Sequence, residues 1–246
     1  MTGPVEGPTL AEVVSSYGDI ESKPLSRIQA FTAKAMSRNW STIPHVTHFD
    51  SMDMTALEAA RRRANADRAP EDRLSPLAYL LKAVAGVLEE IPRFNAALDP
   101  AANTLLLRKY VNLGVAIDTP AGLVVGVVRG CDKLSIGELS AQTKALGEKA
   151  RSKGLSLTEM SGAGFTVSSL GNLGGDGFTP IINAPEVAIL GVSRMNEAPR
   201  RAEDGGLEWR SLLPVCLSYD HRAVNGADAG RFMQALQAQV DRLATD

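Results

Sequence analysis

The chain has 246 residues, 44% of them hydrophobic and 22% charged, with a formal net charge of −2 at pH 7. That length can bury a substantial core, as one large domain or two small ones. The near-neutral balance excludes a global basic field for nucleic acid or an anionic membrane and leaves room only for a local patch around a phosphorylated ligand.

Residues 1–22 are rich in Gly, Pro, Ser and acids, and read as a flexible N-terminal tail or linker stub without a secretory-signal pattern. From residue 23 onward the pattern is that of a folded domain reaching residue 246. Ser26 is placed to cap a first helix with Ile28, Phe31, Ala35 and Met36 on one face. After Pro44, the alternating segment His45 to Phe49 predicts a strand. A second helix is expected near Asp53, where Thr55 and Glu58 have capping-box spacing, and its run Arg61 to Arg63 reads as a solvated face.

Ser75 and Pro76 open the best-defined helix, with Leu77, Leu80, Leu81, Val84, Leu88 and Ile91 in a stripe before Pro92. This longest apolar stretch contains Lys82 and is too short to cross a bilayer, so a soluble, cytoplasmic protein is expected. Tyr110 to Asp118 and Leu123 to Val128 predict a hairpin joined by Thr119-Pro-Ala-Gly122. Ser135 and Glu138 form another capping box, for a helix stopping at Gly154. Strands are expected at 164–168, 188–193 and 213–219, and a last helix at 227–243. Strands and helices are mixed along the chain, which predicts a single α/β domain with helices packed on a mixed sheet.

The two cysteines, Cys131 and Cys216, lie far apart with no metal-ligand or Cys-x-x-Cys spacing, and read as free thiols. His45 and His48 are three apart on a strand, point to opposite faces and suit structural or surface roles, so no metal site is expected. His221 follows the apolar run Leu213 to Tyr219, at a strand end where an imidazole can face a cleft and move protons near neutral pH. The glycine-rich stretch Gly164-Phe-Thr-Val-Ser-Ser-Leu-Gly171 carries neither a dinucleotide fingerprint nor a nucleophile elbow, which leaves Ser168 or Ser169 as hydroxyl donors.

These segments resemble the catalytic (inner-core) domain of the 2-oxo acid dehydrogenase dihydrolipoyl acyltransferases, relatives of chloramphenicol acetyltransferase. The likeness runs through Lys23-Pro-Leu-Ser-Arg-Ile-Gln29, Arg38 to Asp50, Pro92-Arg-Phe-Asn95, Val111 to Pro120, Asn183 to Gly191 and Asp220-His-Arg222 with Gly226. It implies a two-layer chloramphenicol acetyltransferase-like fold, and an acetyl group moving between a dihydrolipoyl thiol and coenzyme A. His221 would be the general base and Ser168 the oxyanion donor, with Ser169 as the adjacent alternative. Asn225 stands where the family commonly has aspartate; it would orient the site through Arg27 and carry no proton. The Ser-Ser-Leu-Gly stretch favours the acetyl-transferring, pyruvate type. Acetyl-coenzyme A would be a substrate, the lipoyl group would come from another domain or protein, and no metal is implied.

A homotrimer with sites between subunits is implied, with 2-oxo acid dehydrogenase and dihydrolipoamide dehydrogenase components as partners. The polar C-terminal residues favour a free trimer over a large shell. Two other readings stand beside this one: an acetyl-coenzyme A-dependent enzyme acting on a non-lipoyl small molecule, and a non-catalytic scaffold core, against which His221 and Ser168 argue.

Overall fold

A computed structural model describes residues 7–171, 173–202 and 204–245. Part of the expected tail, residues 1–6, lies outside the described residues. Within the rest of it, Thr9 and Glu12 close a capping box that starts a short helix, α1 (Leu10–Ser15), none of whose residues is buried. A local capping signal suffices for a helix of six residues.

The main elements follow their end signals. Helix α2 (Arg27–Thr42) is capped by Ser26 with Gln29 completing the box, and buries only Asn39 within the chain. Strand β1 (His45–Asp53) extends further than expected. Helix α3 (Thr55–Ala64) begins without a side-chain cap. Its expected capping box does not form, because Thr55 Oγ1 accepts from Ser211 N at 2.9 Å and Glu58 turns to Arg61 at 2.7 Å. Helix α4 (Pro76–Glu90) is capped by Ser75 and buried on most of its circumference.

A small hairpin of β2 (Ala96–Asp99) and β3 (Thr104–Leu107) stands apart. The expected hairpin of β4 (Leu113–Ile117) and β5 (Val124–Val128) is present and antiparallel. Helix α5 (Ile136–Ser152) has the Ser135–Glu138 box, and Gly154 follows it with φ of 76°. Then come β6 (Phe165–Ser169), β7 (Ala188–Val192), β8 (Asn196–Arg201), β9 (Leu207–Asp220) and α6 (Gly226–Leu243).

The large sheet runs β1-β9-β7-β6-β4-β5, with β8 added along the early half of β9; β4, β6 and β7 are parallel neighbours and the other pairs are antiparallel. Alternation sorts its two faces. Leu113, Val115, Phe165, Val167, Ala188, Leu190, Val215 and Leu217 belong to the main core, with Leu81, Val84 and Leu88 of α4 and Phe232 and Leu236 of α6. Phe232 sits 4.6 Å from Phe94 and 5.6 Å from Phe165, ring centre to ring centre. The opposite face is covered by residues 177–186. There Phe178 lies on Gly191, where a Cβ would come within 2.8 Å of its ring, and Ile182 packs with Ile43 and Ile189. Mixed sheet and packed helices are thus the two layers expected.

Candidate active site

Strand β9 carries the chain to His221 while still paired with β1. Its last residue, Asp220, lies opposite His45, and His221 N donates to Pro44 O at 3.0 Å. Asp220 is almost fully buried and accepts from Arg222 N at 3.0 Å, Arg222 Nε at 2.9 Å and Arg222 Nη2 at 2.7 Å. Paired with this carboxylate, the Arg222 guanidinium has its pKa raised. Arg93 Nη1 braces the next residue by donating to Ala223 O at 2.8 Å. The histidine backbone is therefore fixed on both sides, while the residue is exposed and its ring lies 5.9 Å from the Tyr219 ring. Among the described residues no hydrogen bond forms to its imidazole. Sequence reasoning missed this clamp, although opposite charges two residues apart around a histidine were its visible sign.

Asn225 is the N-cap of α6. Its Oδ1 accepts from Asp228 N at 3.0 Å, and Asn225 N donates to Asp228 Oδ2 at 3.3 Å. The side-chain oxygen is therefore engaged, and the amide nitrogen is the part left to act. Arg27 is exposed at the start of α2, and no hydrogen bond joins it to Asn225 among the described residues.

Ser168 and Ser169 end β6 and face opposite ways. Ser168 is half-buried, opposite Gly191 of β7, with its hydroxyl unengaged among the described residues. Ser169 is exposed, and its Oγ accepts from Gly171 N at 3.4 Å. Register then separates Ser168 from His221. Ser168 is level with Gly191 and, across it, with Cys216 on β9, whereas His221 lies five residues further on, just past the end of β9. Two strand spacings and that stretch of strand put the two side chains roughly 15–20 Å apart. Two hollows in a single chain, one of about 470 Å³ beside Phe49 and Pro214 and one of about 290 Å³ beside Ile28 and Gly122, are lined by neither residue.

His45 is occupied, and the cysteines are buried. His45 Nδ1 meets Ile43 O at 2.8 Å, its Nε2 accepts from Ile182 N at 3.0 Å, and its ring lies 5.3 Å from Trp40, which is a structural role. His48 is half-buried on β1. Cys131 and Cys216 are buried and free, and burial pushes the Cys131 thiol up to about 11, far from the reactive range. Among the described residues no three His, Cys, Asp or Glu side chains gather to hold a metal, and no helix is long and apolar enough to cross a membrane.

Comparison with known proteins fits this layout. Residues 17–245 match the family model of the 2-oxoacid dehydrogenases acyltransferase catalytic domain. The acetyltransferase component of the pyruvate dehydrogenase complex of Azotobacter vinelandii is 48% identical over 90% of this chain and 35% of its own length. That of Pseudomonas aeruginosa is 46% identical over 96% of this chain and 43% of its own. The chain thus spans less than half the length of these curated relatives. Among solved structures, Azotobacter vinelandii dihydrolipoamide acetyltransferase superposes with a TM-score of 0.88 at 46% identity, covering 98% of this chain and 97% of that one. The cubic core of a pyruvate dehydrogenase multienzyme complex superposes at 0.89 and 44% identity, covering 99% and 100%. Chloramphenicol acetyltransferase, 13% identical with a TM-score of 0.53 over 85% of this chain and 94% of that one, shares the fold. The chain belongs to the 2-oxoacid dehydrogenase acyltransferase family, to whose catalytic domain it corresponds.

Proposed function

We propose that this chain moves an acetyl group between a dihydrolipoyl thiol and coenzyme A, at a site built from His221 of one copy and Ser168 of another. The observation that carries the reading is their separation on one sheet: a free imidazole and a free hydroxyl lie at opposite ends of the strands, too far apart to serve one substrate within a chain. The relatives named above are acetyltransferases of pyruvate dehydrogenase complexes, and the Azotobacter work concerns a serine, a histidine and an asparagine in the catalytic mechanism. In that protein the asparagine follows the histidine by four residues, the spacing of His221 and Asn225. Asparagine at this position is therefore not peculiar to this chain.

In this mechanism the His221 imidazole takes the proton of the attacking thiol. The thiolate adds to the thioester carbonyl, a new C–S bond forms, and the tetrahedral oxyanion accepts a hydrogen bond from Ser168. Collapse breaks the original C–S bond, and the leaving thiolate recovers the proton from the imidazolium. A thiol needs modest help from a base, so the larger share of the barrier falls to the oxyanion. Asn225, held at the start of α6, orients the site through its amide, and Arg27 lines the approach from α2. Residues 23–246 form the catalytic unit, with the residues before them as an arm.

A homotrimer is the assembly we propose, acting with 2-oxo acid dehydrogenase and dihydrolipoamide dehydrogenase components. The cubic core formed by a relative 44% identical to this chain supports repeated copies around the site. Two buried free cysteines suit a reducing, cytoplasmic setting. The test is transfer from acetyl-coenzyme A to dihydrolipoamide by the purified protein. His221→Ala is expected to lower turnover by about 100-fold or more with the fold retained. An unchanged rate, or transfer to a hydroxylated acceptor in place of dihydrolipoamide, overturns the reading.

A further inference from the structure

Three stretches far apart in sequence meet beside β6, on the face of the sheet away from the helices. Gly164 precedes the strand, and Thr166 and Ser168 follow it on the same side by alternation. Asn95 and Arg108 lie over Gly164: a Cβ there would stand 2.0 Å from Asn95 Oδ1 and 3.1 Å from Arg108 Cδ. Thr166 is fully buried; its Oγ1 donates to Glu186 Oε1 at 2.9 Å and accepts from Asn183 Nδ2 at 3.3 Å. On the neighbouring strand, a Cβ on Gly114 would come within 2.5 Å of that same Oγ1. Two bare glycines therefore make room for a polar cluster where a sheet would ordinarily be covered by apolar side chains.

The cluster is also costly. Glu186 is 6% exposed and Asn95 2%, yet Glu186 Oε2, Asn95 Oδ1 and Arg108 Nη1 have no hydrogen-bond partner among the described residues. Unpaired buried groups of this kind lower stability, and a carboxyl group so placed calls for a reason. Its position supplies one. Thr166 is two residues before Ser168 on the same face, about 7 Å away along the strand.

We propose that Glu186 is a positioning residue for the acyl transfer proposed above: with Asn183 it clamps Thr166, and through that clamp it holds Ser168 at the oxyanion. The inference rests on that reading of the site. The clamp works with a neutral acid. Burial pushes the Glu186 carboxyl up to about 8, opposed by the Thr166 hydrogen bond and the charge of Arg108. Arg108, after β3, is the charged side chain that bears on it; Thr166 of β6 and Asn183 of the covering segment supply the polar contacts. As pH rises through about 8 the acid ionises in a dry pocket, and the end of β6 must shift to hydrate it.

The experiment measures transfer from acetyl-coenzyme A to dihydrolipoamide between about pH 6 and about pH 9.5, with His221→Ala as control. Glu186→Ala is expected to lower kcat about tenfold with KM within about twofold, because the oxyanion contact is lost and substrate binding is not. Glu186→Gln, the neutral isostere, restores kcat and removes the part of the alkaline decline that ionisation of Glu186 causes. Should Glu186→Ala fail to fold, Thr166→Val takes its place and Thr166→Ser provides the rescue. A Glu186→Gln profile that superimposes on the wild-type profile overturns the inference, as does a loss that neither conservative variant restores. If His221→Ala is inactive in that case, only the positioning role falls. If His221→Ala is fully active, the acyl-transfer reading falls and takes the positioning role with it.

Discussion

Asp220 and Arg222 form an ion pair that spans His221, so the histidine is carried on a rigid turn while its ring makes no hydrogen bond among the described residues. The arrangement suits a group that must meet a substrate brought from outside, since the ring needs no rearrangement to do so. The two serines can be told apart on the same ground. Ser169 already accepts a hydrogen bond from its own turn and is exposed, whereas Ser168 is half-buried and uncommitted. Ser168→Ala should lower turnover about 100- to 1000-fold, the loss typical of an oxyanion donor, with little change in coenzyme A binding. Ser169→Ala should stay within about threefold of wild type, because its hydroxyl faces away from that site. Steady-state kinetics on the two variants decide between them, and the reverse ranking would assign the oxyanion to Ser169.

At the scale of elements, α6 joins stability to chemistry through Asn225. Replacing it by alanine removes the cap and should cost about 1 kcal/mol, read by denaturant titration. Asn225→Ser keeps an equally good cap and should leave stability within about 0.5 kcal/mol of wild type. If the amide nitrogen serves the site, turnover of the serine variant still drops about tenfold, the loss expected of one missing hydrogen bond. The caps of α2, α4 and α5 were legible in the sequence because each acts within one turn: Ser26, Ser75 and Ser135 need no distant partner. Thr55 carried the same signal and was recruited by Ser211, 156 positions away, so local spacing misled. Strand β8 escaped because its residues are mostly exposed and it pairs on one side only. The β2–β3 hairpin escaped because its strands have four residues each, although Asp99-Pro100 and Asn103, at φ of 50°, mark the turn. At the candidate site, His221 and Ser168 were singled out through the resemblance and are placed on the sheet as strand-end residues. The contact of Arg93 with Ala223 and the Glu186 cluster were not legible, since each joins residues that come together only in the folded chain, whereas the Asp220–Arg222 pair had a local sign that went unread.

For the whole molecule, the described residues of one chain form a packed domain in which His221 and Ser168 lie far apart. Helix α2 buries only Asn39, with Phe31 76% and Trp40 60% exposed, so the apolar face read from Ile28, Phe31, Ala35 and Met36 is only partly covered by the described residues. A site shared between copies makes a quantitative prediction. His221→Ala and Ser168→Ala, each inactive alone, should regain activity when unfolded together in equal amounts and refolded as mixed oligomers. Random assembly gives about one intact site in four, because each site draws its histidine and its serine from different chains. Mixed oligomers that stay inactive would mean that both groups come from one chain.

Strand β9 has fourteen residues; the early ones pair with β8, and those from Leu212 onward are held by β1, with β7 on the other side from Val215. Change in length is therefore tolerable at one end and not at the other. A residue added in the turn between β8 and β9 alters only that turn. A residue added after Val215 would turn Cys216 and Ser218 toward the helices, carry Leu217 and Tyr219 to the opposite face, and shift the Asp220–Arg222 pair, with His221 between them, out of register with His45 and Pro44. Across descendants of this sequence, insertions and deletions should accumulate at the hairpin tip, while the approach to His221 keeps a fixed reading frame.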